Sequence, residues 1–295
     1  MSTLGNAPDQ QPVTGELAVT TASLEDWHQV AQWAADEDWN PGLGDTACFH
    51  PTDPAGFFLG RRAGRAVSAV SIVTYSDAYA FLGYYLVHPD HRGQGLGLAT
   101  WRAAFPHAGV RTVGLDAVPA QQATYRRAGF TPAHDTIRYA GRPLRPGTPA
   151  PAEAVPVTGS HLDAVADYDR RCFPADRRAF VARWLTAPGH TARVYLRDGA
   201  VAGYGVLRPA RTGHRIGPLF ADTAEAAEAL FDTLVASVDP GGEVFLDVPG
   251  PRHTAHTLAT ARGLAPQSHT VRMYSGPVPP AEQERTFAVT SLELG

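Results

Sequence analysis

Lysine is absent from this chain: all 25 of its basic residues are arginine. A compositional bias accounts for that on its own, because alanine, arginine, glycine and proline are all abundant, with 29 glycines and 25 prolines. Cysteine is nearly absent too. The two present, Cys48 and Cys172, stand far apart with no Cys/His ligand spacing around them, which excludes a disulfide framework and a zinc site. No metal is expected, and a reducing cytoplasm is the simplest location. Basic surplus is also missing. The formal charge is −4, from 25 basic and 29 acidic residues, and no stretch interleaves basic and aromatic side chains, so nucleic acid is a poor partner. Nowhere is there an apolar run of the roughly 18 residues that a membrane span needs, and the start of the chain lacks a basic, then apolar, leader. No membrane or secretion signal is expected, and residues 1–15 read as a disordered tail.

What is present is 295 residues with 44% hydrophobic and 18% charged side chains, enough for two globular domains with cores of their own. Residues 142–156 contain five prolines and no helical or strand period, and read as an extended linker. On either side of it the same landmarks recur in the same order. Cys48-Phe49 returns as Cys172-Phe173, GLDAVP ending at Pro119 as FLDVP ending at Pro249, and TIRYAG ending at Gly141 as TVRMYSG ending at Gly276. The first copy reads as strands at Leu17–Thr20, Phe57–Gly60, Ala66–Tyr75, Ala80–Val87, Thr112–Val118 and Asp135–Tyr139, with helices at 21–36, 95–105 and 120–128. In the second, 161–172, 179–185 and 224–237 read as helices, and 193–197, 201–208, 244–248 and 270–274 as strands. Strands and helices alternate only in part, so an α/β (α+β) fold with a mixed sheet is expected.

The richest run is Tyr84-Tyr-Leu-Val-His-Pro-Asp-His-Arg-Gly-Gln-Gly-Leu-Gly-Leu-Ala-Thr100, an apolar strand passing through a glycine-rich turn into a helix. Gly93, Gly95 and Gly97 let backbone amides approach an anion, and the helix start offers unpaired N–H groups and a positive dipole end, a seat for pyrophosphate. With Arg92-Gly-Gln-Gly-Leu-Gly97 after Val87-His-Pro89, and Tyr125-Arg-Arg-Ala-Gly-Phe130 one strand later, residues 16–140 resemble the GNAT superfamily of N-acetyltransferases. The whole chain is similar to a bacterial group of two-domain GNAT enzymes. The second half departs from the pattern: Arg215-Ile-Gly-Pro-Leu-Phe-Ala-Asp-Thr223, at the loop position, has Pro218 and bulky residues in place of glycines and Asp222 facing any anion.

The resemblance implies two tandem GNAT-like domains, 16–141 holding acyl-CoA and 157–295 degenerate, each a mostly antiparallel sheet flanked by helices. It implies transfer of an acetyl or other acyl group from acetyl-CoA, as co-substrate, to a primary amine of a small molecule in one ternary complex. Leu86, Val87, Arg92, Gly93, Gln94, Gly95, Leu96, Gly97 and Tyr125 match the positions that hold coenzyme A, with Tyr125 also placed to act as acid toward the sulfur. The strand Phe81–Val87 lacks the carboxylate the family often uses as base. Asp116 at the next strand's end is the leading substitute; capping the following helix is its bland alternative, and His88 is a further candidate. Asp45, Trp39 and Tyr84 are the expected acceptor-binding residues, with Asp36, Glu37 and Asp38 either beside them or on a solvated helix end. Cys48 and Cys172 read as buried small hydrophobes. An enzyme that acylates amines also gains by carrying no lysine, the sharper reading of that absence. An acyl-CoA sensor without turnover, or a GNAT fold turned to another CoA reaction, are the alternatives.

Overall fold

The computed structural model describes residues 15–145, 152–250 and 253–295, so the expected tail at 1–15 lies almost wholly outside the described residues. The first half runs β1 (Leu17–Thr21), α1 (Leu24–Asp36), α2 (Asp45–Phe49), β2 (Phe57–Arg62), β3 (Arg65–Thr74), β4 (Tyr79–Val87), α3 (Leu96–Ala104), β5 (Thr112–Ala117), α4 (Gln122–Arg127) and β6 (Thr131–Gly141). The second runs β7 (Ala154–Pro156), α5 (Leu162–Cys172), α6 (Arg178–Thr186), β8 (Thr191–Arg197), β9 (Ala200–Pro209), β10 (His214–Ala221), α7 (Ala224–Val235), β11 (Val244–Pro249), α8 (His253–Ala261), β12 (Ala265–Tyr274) and β13 (Thr286–Ala288). No helix among the described residues is long and apolar enough to cross a membrane.

Local sequence explains most of these elements. Ser23 opens α1 with a capping box, taking the Asp26 N–H on its hydroxyl while the Asp26 carboxylate takes the Ser23 N–H. Buried Trp27, Val30 and Ala34 form its inner stripe at helical spacing. β3 and β4 are nearly continuous apolar runs because helices cover both of their faces.

The halves are not separate in space. One sheet runs β1-β2-β3-β4-β5-β12-β6-β11-β10-β9-β8-β7, with β13 beside β10, so the last long strand of each half sits in the other half's position. The register explains the exchange: Arg272 lies opposite Asp116 and Arg138 opposite Asp247, so each crossing strand sets a cation against an anion. The largest core cluster is also shared, joining Trp27, Phe49 and Tyr84 to Phe180, Trp184 and Tyr204. α3 and α4 cover the other face of the first half, and α7 and α8 that of the second.

Three expectations change. Residues 154–156 of the supposed linker form β7, an edge strand on β8; 146–151 lie outside the described residues. Residues 215–221, expected at the loop position, continue strand β10, where pairing to β9 satisfies the backbone. The sequence also left α8 and β13 unread.

Candidate active site

β4 and β5 run parallel only as far as Leu82 and Leu115 and then part. A bulge drives the parting: between Ala69 and Ser71 of β3 the register of β4 slips, and Tyr84 takes φ +47. A left-handed tyrosine inside a strand is strained by about 1–3 kcal/mol, a cost typical of functional sites. Below the parting opens a cavity of about 720 Å³, lined by Leu82–Val87, Leu115, Asp116, Val118, Gln121 and Tyr125. Glu37, Asp38, Trp39 and Arg92 form one rim, and the second half contributes Ser268, His269, Thr270, Leu292 and Glu293.

The glycine-rich turn meets the cavity at its Arg92 end. Gly95 is the N-cap of α3 at φ +75, and no side chain caps the helix, so its first amides are left for a ligand. A Cβ at Gly93 (φ +72) or Gly95 would meet nothing within 4 Å, so the backbone there is open to an approaching anion. Gly97 instead permits close packing on Tyr85 and Val87. Arg92 donates to the Val87 carbonyl at 3.0 Å and pairs with Glu37 at 2.5 Å, while Gln94 accepts from Arg62 at 2.9 Å and Leu96 is buried at the helix start. These donors and this space suit the phosphates and extended arm of coenzyme A.

Tyr125, on α4, reaches the cavity with its ring beside Trp101 and Phe130. Its hydroxyl has no hydrogen-bond partner among the described residues, and burial, with Tyr85 adding to it, pushes its pKa up. The group stays protonated at neutral pH.

The other expected residues divide. Asp116 lines the cavity, but both its oxygens bind Arg272, at 2.9 and 2.7 Å. Burial raises its pKa against the pull of Arg272. A carboxylate gripped on both oxygens is a structural ion pair rather than a free base. Asp45, expected to bind the acceptor, lies away from the cavity. It is 1% exposed, accepts the Gly42 N–H at 2.9 Å, pairs with Arg208 at 2.8 Å and does not line the cavity. Its place in a glycine-rich loop suggested a ligand contact; the tertiary structure uses it to tie the two halves. Trp39 and Tyr84 do line the cavity, their rings 6.3 Å apart. His88 lies outside it, 3.6 Å from Asp90, and Asp36 pairs with Arg211. Cys48 and Cys172 are buried, and burial pushes the Cys48 thiol up to about 11.

Arg138 and Glu293 line the cavity as well, and sequence reasoning passed over Glu293. Arg138 binds Asp247 through two nitrogens, at 2.7 and 3.1 Å, and the Trp39 carbonyl at 2.8 Å. Arg215 holds the same carboxylate and the carbonyls of Trp39 and Asn40, so two arginines fix the rim of the cavity. Burial alone would raise the Asp247 pKa, but Arg138 and Arg215 outweigh it and lower it to about 2. Glu293 comes from the last residues of the chain, and no periodicity or motif could have placed it there.

Comparison with known proteins agrees with this geometry. Residues 21–130 match the acetyltransferase (GNAT) family and residues 165–288 an acetyltransferase (GNAT) domain. The chain is 36% identical over 279 residues to a holothin acyltransferase of Pseudoalteromonas sp. strain SANK 73390, across 93% of both chains. Its fold is similar to a putative acetyltransferase from Pyrococcus horikoshii (TM-score 0.78, 18% identity, 99% of this chain and 100% of that one). It is also similar to a tandem GNAT protein from the clavulanic acid biosynthesis pathway (TM-score 0.63, 19% identity, 89% and 100%).

Proposed function

The chain belongs to the GNAT acetyltransferase family and is an acyltransferase, and on that premise we propose that it moves an acyl group from acyl-CoA to the amine of a small molecule within one ternary complex. The observation that carries this reading is the uncapped, glycine-walled start of α3 following directly on Arg92, which lines the same cavity as Tyr125 and the acidic rim at Glu37 and Asp38.

Acyl-CoA supplies an acyl carbon activated as a thioester. Gly93, Gln94, Gly95, Leu96 and Gly97 would seat its pyrophosphate, with Arg92 beside them, and Leu86 and Val87 would flank its arm. The parted strands leave backbone there for polar contact with it. Tyr125, kept protonated by burial, donates to the leaving sulfur. Trp39 and Tyr84 present ring faces to the acceptor, and the nearby carboxylates favour a cationic amine. Enclosure by both halves suits a small molecule better than a lysine on a protein surface.

Thiol release from acetyl-CoA, measured with a panel of small primary amines that includes holothin, the acceptor in the relative's name, tests the reading. The expected result is amine-dependent release with an acylated product of matching mass. Tight acyl-CoA binding without release from any amine would leave a sensor instead.

A further inference from the structure

After β13 the chain does not end in solvent. Val289 N–H donates to the Asp247 carbonyl at 3.0 Å, and Thr290 accepts from Arg177 at 2.8 Å. Ser291 then anchors a tight turn, its hydroxyl accepting the N–H groups of Glu293 and Leu294 at 3.2 and 3.0 Å. Tyr75 of the first half donates to the Leu294 carbonyl at 2.9 Å, and Leu294 is fully buried. This places Glu293 against Gly83 of β4, so closely that any Cβ at Gly83 would collide with the Glu293 carbonyl. The tail therefore touches β4 one residue before the Tyr84 bulge, where the family pattern would have looked for a carboxylate on the strand itself.

Glu293 is 4% exposed and lines the cavity, yet neither of its carboxylate oxygens has a hydrogen-bond partner among the described residues, and Oε2 is completely buried. Tyr84 lines the same cavity, and its hydroxyl is also buried without a partner. A buried carboxylate with no donor is costly, so its retention calls for a ligand that donates to it. Resting on the acyl-transfer reading, we infer that Glu293, carried in on the C-terminal tail, is the group that binds the acceptor's amine and takes its proton. The cationic amine first gives one proton to Glu293, which passes it to water; as the freed nitrogen lone pair bonds to the acyl carbon, a second proton passes to a Glu293 oxygen and the C–S bond breaks. The sulfur takes a proton from Tyr125, so amide and free thiol leave and the two side chains exchange their net proton with water. Glu293 thus does from the turn after β13 what Asp116, gripped by Arg272, does not.

A structural role is the competing account, since Glu293 also lies in the field of Arg138 and Arg215. The full-length Glu293→Gln variant separates the two, because it keeps the shape and the backbone contacts of the tail. Acyl-CoA affinity by calorimetry within about twofold of wild type, with turnover down at least about 100-fold, is the expected result. Glu293→Asp, which keeps the carboxylate, should recover part of that loss. Turnover within about threefold of wild type would overturn the inference while leaving the acyl-transfer reading intact. So would a variant that melts markedly earlier but turns over normally where folded. A wild-type protein that releases no thiol with any amine would remove both.

Discussion

The two halves build the same cleft and use it in opposite ways. In the first, β4 and β5 part after Leu82 and Leu115, and the gap is the cavity of about 720 Å³. In the second, β10 and β11 pair only through Ile216 and Leu246, and the gap is closed by β13, which lies antiparallel to β10 at Leu219 and Phe220. The helix starts differ likewise. α3 has an uncapped glycine N-cap, whereas Thr223 caps α7 by accepting the Ala226 N–H at 3.3 Å. In one half the backbone groups are left for a ligand; in the other the chain satisfies them itself. The second half therefore differs from the first in more than its missing glycines. Its slot became the mooring for the tail that reaches the first half's cavity.

The buried ion pairs sharpen the contrast. Asp116 and Asp247 occupy matched positions on exchanged strands, but Asp116 faces one arginine and Asp247 two. Burial wins at Asp116, whose pKa rises, and loses at Asp247.

The most drastic way to break the comparison is to separate its terms. A chain ending near Ala150 lacks β12, which lies between β5 and β6, and is expected not to fold; circular dichroism and soluble yield check this. A folded, active first half would show the strand exchange to be dispensable. Next, Gly95→Glu puts a carboxylate where pyrophosphate would sit, at a cost of about 1 kcal/mol for its left-handed backbone. Acyl-CoA affinity by calorimetry should fall at least about 100-fold, near 3 kcal/mol, with the fold intact. An unchanged affinity would move the cofactor site elsewhere.

Asp116→Asn strands the Arg272 charge and should cost about 3–5 kcal/mol in denaturant unfolding. Full stability with lost turnover would return Asp116 to the role of base. Tyr125→Phe should slow turnover by about 100-fold while acyl-CoA affinity holds within about threefold. Equal turnover would leave Tyr125 as a packing residue.

By itself the sequence determined the duplication, the mixed α/β class and the glycine-rich turn that opens α3, because these are written in local signals. Glycines at fixed offsets, a strand running into a helix and repeated landmarks each act over a few neighbouring residues. Tyr125, Trp39 and Tyr84, which line the cavity, lie in or beside those motifs. Asp45 was misplaced because a glycine-rich loop looks the same in sequence whether its carboxylate meets a ligand or a buried arginine 163 residues away. Only the tertiary structure decided which strand lies beside which, and so which charges are already matched. The exchange of β6 and β12 made Asp116 a partner of Arg272, and the mooring of β13 set Glu293 beside β4. Both are pairings between segments far apart in the chain, whose energy depends on register and burial that no local pattern records.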